Sequence, residues 1–152
     1  MPLYRRILHA TDFSKASGPA LQAAVALAAA MKAELRLVHV VDNSPVLSYY
    51  TLVYQAHRIN TTRRRQAMEA LKRLAERKAG ARIRTRLEVR IGKPAEQILE
   101  AARRGRADLL VLGTHGYSGL EQALLGSTAD KVARRSQVPV LIVPSSRAAR
   151  RR

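Results

Sequence analysis

The sequence predicts an α/β domain built on an open, mainly parallel sheet with helices on both faces. Three observations carry that expectation. Apolar runs of strand length alternate with helix-length stretches along 152 residues, the order that right-handed βαβ units produce. The length suits one domain with a substantial core, and no internal repeat or second regime of composition divides it. Four of the eight glycines (Gly113, Gly116, Gly119 and Gly126) fall in "GTHGYSGLEQALLGST" at 113–128, directly after an apolar run, where a site made from backbone at one sheet edge needs them.

"LYRRILHA" (3–10) ends in a buried-type apolar run and reads as the first strand. "TDFSKASG" follows as a turn with cap signals, and an Ala/Leu-rich helix runs to Lys32. "ELRLVHVV" (34–41) is the second strand, and a second helix covers Ile59 to Ala79, stopped by Gly80. "RIRTRLEVRI" (82–91) is the third strand; "GKPAEQILEAARRG" (92–105) is a turn and helix with Pro94 at its first position. "ADLLVLG" (107–113), "STADKVARRS" (127–136) and "VPVLIVP" (138–144) read as a buried strand, a helix and a closing strand. "DNSPVLSYYTLVYQAHR" (42–58) is a long connection holding Tyr49, Tyr50 and Tyr54, a length usually tied to function or mobility. Residues 1–145 are expected to form the domain, and 146–152 a basic, disordered tail.

Composition excludes several classes. With 47% apolar but only 4% aromatic residues, the core must be aliphatic. No cysteine is present, which removes disulfides, thiolate metal sites and cysteine nucleophiles and suits a reducing compartment. The longest apolar stretch, "ALQAAVALAAAM" (20–31), is short and broken by Gln22, so no membrane span is expected. Arg5-Arg6 is followed by Asp12 and Lys15 within a strand-and-turn pattern, which argues against an export signal and for the cytoplasm. The net charge of +17, from 28 basic and 11 acidic residues, attracts polyanions. Its plain reading is a solvated basic surface; the alternative is non-specific nucleic-acid binding through the helix at 61–78 and the tail.

In open α/β sheets, ligands sit beyond the carboxyl ends of the strands. Ala10-Thr11-Asp12, Val40-Val41-Asp42 and the glycine stretch therefore converge on one edge. Gly113 and Gly116 bracket a tight turn, and Gly126-Ser127-Thr128 opens a helix that Ser127 or Thr128 would cap. Free N–H groups and the positive dipole end then make an anion site, most naturally for phosphate. Neither a G-x-x-x-x-G-K-[ST] loop nor a G-x-G-x-x-G turn is present, so the P-loop and dinucleotide-binding folds are not expected.

The spacing G-x2-G-x9-G-[ST], met by Gly113, Gly116, Gly126 and Ser127, resembles the nucleotide-binding signature of the universal stress protein family. "ILHATDFSKAS", "LRLVHVVD", "GKPAEQIL" and "VPVLIVP" extend the resemblance over almost the whole chain. It implies a Rossmann-like, five-stranded parallel sheet in order 3-2-1-4-5 with ATP (bound as ATP, ADP or AMP) at the carboxyl edge. By that resemblance Asp12 would hold ribose or metal-linked groups, with Ala10 and Thr11 beside it. Val40 would meet adenine through its main chain. Leu112, Gly113 and Gly116 would line ribose and phosphates, and Gly126, Ser127 and Thr128 would hold the phosphates. Mg²⁺ would come with the nucleotide, held by phosphates and Asp12. Ala10 and Tyr117 depart from what many relatives carry.

His115, beside the expected phosphates, is the one group suited to act on a phosphoryl group, but no partner base or nucleophile accompanies it. His9 and His39 read as strand histidines of the core, His57 as isolated, and Asp42 as a surface residue ending the second strand. The expectation is a nucleotide-binding stress-response or regulatory protein that is not an enzyme; the alternative is a slow ATPase or phosphotransferase using His115 or Asp12. The short apolar closing strand, Val138 to Val143, sits at the expected sheet edge and should pair in a homodimer, as the resemblance also implies.

Overall fold

The computed structural model describes residues 3–43, 53–114 and 125–145, the side chains of 53–57 excepted. Five strands, β1 (Arg6–Ala10), β2 (Glu34–Val41), β3 (Thr85–Ile91), β4 (Leu109–Gly113) and β5 (Val140–Val143), form one sheet. Its order is β3-β2-β1-β4-β5, and every neighbouring pair is parallel. The helices are α1 (Gly18–Met31), α2 (Val53–Lys78), α3 (Pro94–Arg104) and α4 (Ser127–Arg135). No described helix is long and apolar enough to cross a membrane.

Strand periodicity divides the core in two. Ile7, Leu35, Leu37, Val41 and Val111 face α1 and α2; Leu8, Val38, Leu110 and Leu112 face α3 and α4. Ala20, Ala24 and Ala28 are buried at four-residue spacing on α1, so that helix lies close against the strands. Its end is set by Lys32, which takes a left-handed conformation at φ 53° while Ala33 N–H bonds the Ala28 carbonyl at 2.9 Å.

Element boundaries shift for local reasons. The second helix begins at Val53 rather than Ile59, so it absorbs the end of the expected long connection; Tyr49 and Tyr50 lie outside the described residues. The third strand begins at Thr85 rather than Arg82, because its partner β2 begins at Glu34 and the first register pair is Leu35 with Thr85. Gly92, at φ 146°, turns β3 into α3, and a Cβ there would meet Gln97 at 3.0 Å. We expect Gly92→Ala to cost about 1–3 kcal/mol of stability in urea unfolding. A cost below that range would mean the turn relaxes freely.

Candidate nucleotide site at the carboxyl edge

The chain builds outward from β1 in one direction to β2 and β3, then crosses to β4 and β5 on the other side. The strand order therefore reverses beside β1, and a crevice opens at the carboxyl ends there. A cavity of about 700 Å³ occupies it. Ala10, Thr11, Asp12, Val40, Leu112, Gly113, Gly126, Ser127 and Thr128 all line it. Gly116, with His115 and Tyr117, lies outside the described residues.

One wall is the turn after β1. Thr11 Oγ1 accepts the Phe13 N–H at 3.0 Å, and Asp12 Oδ1 accepts the Ser14 N–H at 2.9 Å. Ser17 Oγ donates to the Ser14 carbonyl at 2.8 Å. These bonds hold Phe13 at φ 64°, a conformation costly for a residue with a Cβ. The turn thereby presents Asp12 at the cavity with its second carboxylate oxygen unbonded among the described residues.

The opposite wall is the start of α4. Thr114 N–H bonds the Val143 carbonyl at 3.2 Å, and Gly126 N–H bonds the Thr114 carbonyl at 2.7 Å. The two ends of the glycine stretch are thus pinned together beside β5. Neither Ser127 nor Thr128 caps the helix, as the sequence had suggested. Gly126 is the N-cap, with no side-chain cap bond, and the two hydroxyl residues occupy the first turn. The cause is where the helix starts: Asp130 N–H already bonds the Gly126 carbonyl at 2.9 Å. The first-turn N–H groups, which α4 cannot satisfy internally, lie at the cavity. Gly126 sits at φ −58° and ψ 151°, open to any residue, so it is not needed for a left-handed turn. It lines the cavity beside the first turn of α4.

His39 is satisfied, as expected of a strand histidine, but it belongs to the site. Its Nδ1 donates to the Thr11 carbonyl at 2.8 Å, and its ring lies 4.4 Å from that of Phe13; both rings line the cavity. Asp42, expected as a surface residue, is exposed at the cavity mouth. His9 is buried one residue before the cavity, its Nδ1 donating to the Val111 carbonyl at 2.9 Å. Desolvation lowers its pKa from 6.5 to about 4, despite that bond and the Asp12 charge.

Sequence reasoning missed Arg63, Gln66, Ala67 and Ala70 on α2, and Pro94 and Ile98 on α3. The α2 set was within reach: positions 63, 66, 67 and 70 form one helical stripe, and a helix crossing from β2 to β3 starts at the carboxyl edge. No described cluster of three His, Asp or Glu side chains is arranged to hold a metal.

A parallel 3-2-1-4-5 sheet with a backbone-lined crevice and a helix N-terminus at its switch point defines the class of open α/β proteins that bind ligands at the carboxyl edge. The chain matches the universal stress protein family over residues 3–144, and it belongs to that family. It is 36% identical over 146 residues to the universal stress protein MJ0531 of Methanocaldococcus jannaschii, covering 93% of this chain and 82% of that protein. The solved structure of MJ0577 from the same organism superposes with a TM-score of 0.85 at 26% identity, covering 95% and 98% of the two chains. A universal stress protein solved in complex with cAMP superposes with a TM-score of 0.64 at 32% identity, covering 94% and 98%.

Proposed function

We propose that this chain is a cytoplasmic regulatory protein that binds ATP, or its AMP and ADP forms, at the carboxyl edge, and acts through nucleotide-dependent conformation or association. One observation carries the reading. Three segments far apart in sequence meet around a single cavity that combines a carboxylate, Asp12, with the N-terminus of α4. Phosphates suit the helix terminus, and Asp12 with the Ser127 and Thr128 hydroxyls supplies the hard oxygen donors a nucleotide-bound Mg²⁺ prefers. The cAMP complex of a relative supports an adenine nucleotide. Calorimetric titration with ATP, AMP, cAMP and GTP tests this: adenine nucleotides should bind and GTP should bind more weakly. No heat from any of them at millimolar concentration would overturn it.

Binding is proposed without appreciable turnover. Backbone N–H groups and hydroxyls hold ground and transition states about equally, which gives affinity rather than acceleration. ATP hydrolysis should stay below about 1 per second, the low end of enzyme turnover, with no loss in His115→Ala. A faster rate abolished by that change, with ATP affinity intact, would make the protein an enzyme.

The proposal includes a homodimer across β5. Among the described residues that strand is a sheet edge of four residues, and Leu141 is 38% exposed on it. Light scattering should give a dimer at micromolar concentration and a monomer for Leu141→Lys. A monomeric parent would remove the idea.

A further inference from the structure

A group of the described cations lies at the end of the sheet opposite the cavity. With parallel strands and crossover helices, every strand starts and every helix ends at the amino edge. Here the helices finish on cations: Lys32 caps α1, Arg77 and Lys78 end α2, Arg103 and Arg104 end α3, and Arg134 and Arg135 end α4. Compensation of helix dipoles accounts for these. It does not account for Arg5 and Arg6 at the start of β1, or Arg82 and Arg84 leading into β3.

Two acids beside the groove, Asp108 and Glu34, are already engaged. Asp108 accepts the main-chain N–H groups of Arg5 and Arg6 at 2.9 and 3.0 Å. Buried Glu34 lies 3.4, 3.0 and 3.0 Å from Arg36, Arg84 and Arg86, and despite burial those guanidinium groups hold its carboxyl below the usual range. Arg5, Lys32 and Arg82 form no ion pair among the described residues. With Arg6, Arg84 and Glu34 they border a groove of about 530 Å³.

We propose that this amino-edge groove binds duplex nucleic acid through its phosphate backbone, without reading sequence. Guanidinium forks match phosphate oxygens, and most of the cations are arginines. Single strands call for aromatic platforms beside the basic groove. Among the described aromatic side chains Phe13 belongs to the cavity and Tyr4 packs against the core. An anionic membrane calls for apolar anchors, and among the described residues Leu3 alone is a large exposed apolar residue near this edge, which is ordinary for a protein surface. The surface proposed here differs from the one the sequence suggested: it gathers several short segments with the last turn of the helix at 61–78, whose Ala67 and Leu71 are buried.

The test is fluorescence anisotropy of the full chain with a mixed-sequence DNA duplex across a salt series. The triple variant Arg5→Ser, Lys32→Asn, Arg82→Ser breaks no ion pair among the described residues, and Asn tolerates the left-handed backbone at position 32. It should reduce the slope of log affinity against log salt by about 3, each lost phosphate contact contributing about 0.9. Arg58→Gln, Arg64→Gln, Arg65→Gln removes the same charge from the first half of α2 and should leave the slope near that of the parent. Equal losses in both triples would overturn the proposal, since charge alone would then suffice. So would a loss caused only by replacing Arg147, Arg150, Arg151 and Arg152, or anionic vesicles binding while the duplex does not. Native circular dichroism and an unchanged ATP titration in the first triple keep this result separate from the nucleotide reading.

Discussion

We expect replacement of Gly126 by valine to weaken ATP binding by at least about a hundredfold, some 2.7 kcal/mol, while the far-ultraviolet circular dichroism stays native. The structure supplies both halves of that expectation. At φ −58° and ψ 151° a valine backbone is unstrained, so the fold has no reason to change beyond the loss of an N-cap glycine, worth about 1 kcal/mol or less. Gly126 lines the cavity beside the first turn of α4, so added side-chain volume there competes with a phosphate that must approach the N–H groups closely. Gly116→Val is the companion change that the sequence signature suggests, at a position outside the described residues. A Gly126→Val protein that binds ATP as tightly as the parent would place the site elsewhere.

The second large effect is acid destabilisation through His9. Its Nδ1 faces the Val111 carbonyl and must therefore carry the proton in the neutral ring, while Nε2 is buried with no partner. Neutral Nε2 is an unused acceptor; protonated, it would be a stranded buried donor on a charged ring, which is far costlier. That is why burial outweighs the Val111 hydrogen bond and the Asp12 charge and lowers the pKa from 6.5 to about 4. The unfolded chain takes up the proton near pH 6.5, whereas the native chain resists it until about pH 4. Between those values the unfolded state holds more protons, so stability rises with pH. The native state should keep its full stability above about pH 6.5 and lose about 3 kcal/mol as pH falls toward 4, since each pKa unit is about 1.4 kcal/mol. Urea unfolding from pH 4.5 to 7.5 should show this slope. His9→Asn, whose amide N–H can still reach the Val111 carbonyl, should flatten it. An equal slope in that variant would assign the acid lability to other groups, with Glu34 and Glu100 contributing only at lower pH, because their arginine partners hold both carboxyls below the usual range.

Much of this architecture was legible because local and long-range signals agreed. Apolar alternation in "ELRLVHVV" marks the strand and also tells which residues face α1 and α2, since period two admits only two faces. The switch-point rule places Ala10 to Asp12, Val40 and the glycine stretch at one edge from the sequence alone. What escaped depends on distances that no pattern encodes. Position 39 looked like core because a histidine inside an apolar strand usually is; only the fold shows that its ring meets Phe13 at the cavity wall. Helix capping at 127–128 was misplaced by one residue, a scale on which hydroxyl side chains and glycine compete as caps. The clustering of Arg5, Lys32 and Arg82 is invisible along the chain, because each belongs to a different segment that only the parallel topology gathers.

The most direct measurement of the central claim is a titration of isotopically labelled protein with Mg·ATP, followed through backbone amide resonances. The largest shifts should fall at Thr11, Asp12, Val40, Gly113 and Ser127 to Ala129, with those of Arg5, Lys32 and Arg82 unmoved. Shifts concentrated at the amino edge, with the α4 N-terminus silent, would show that ATP binds this protein only as one more polyanion and would contradict the assignment of the cavity.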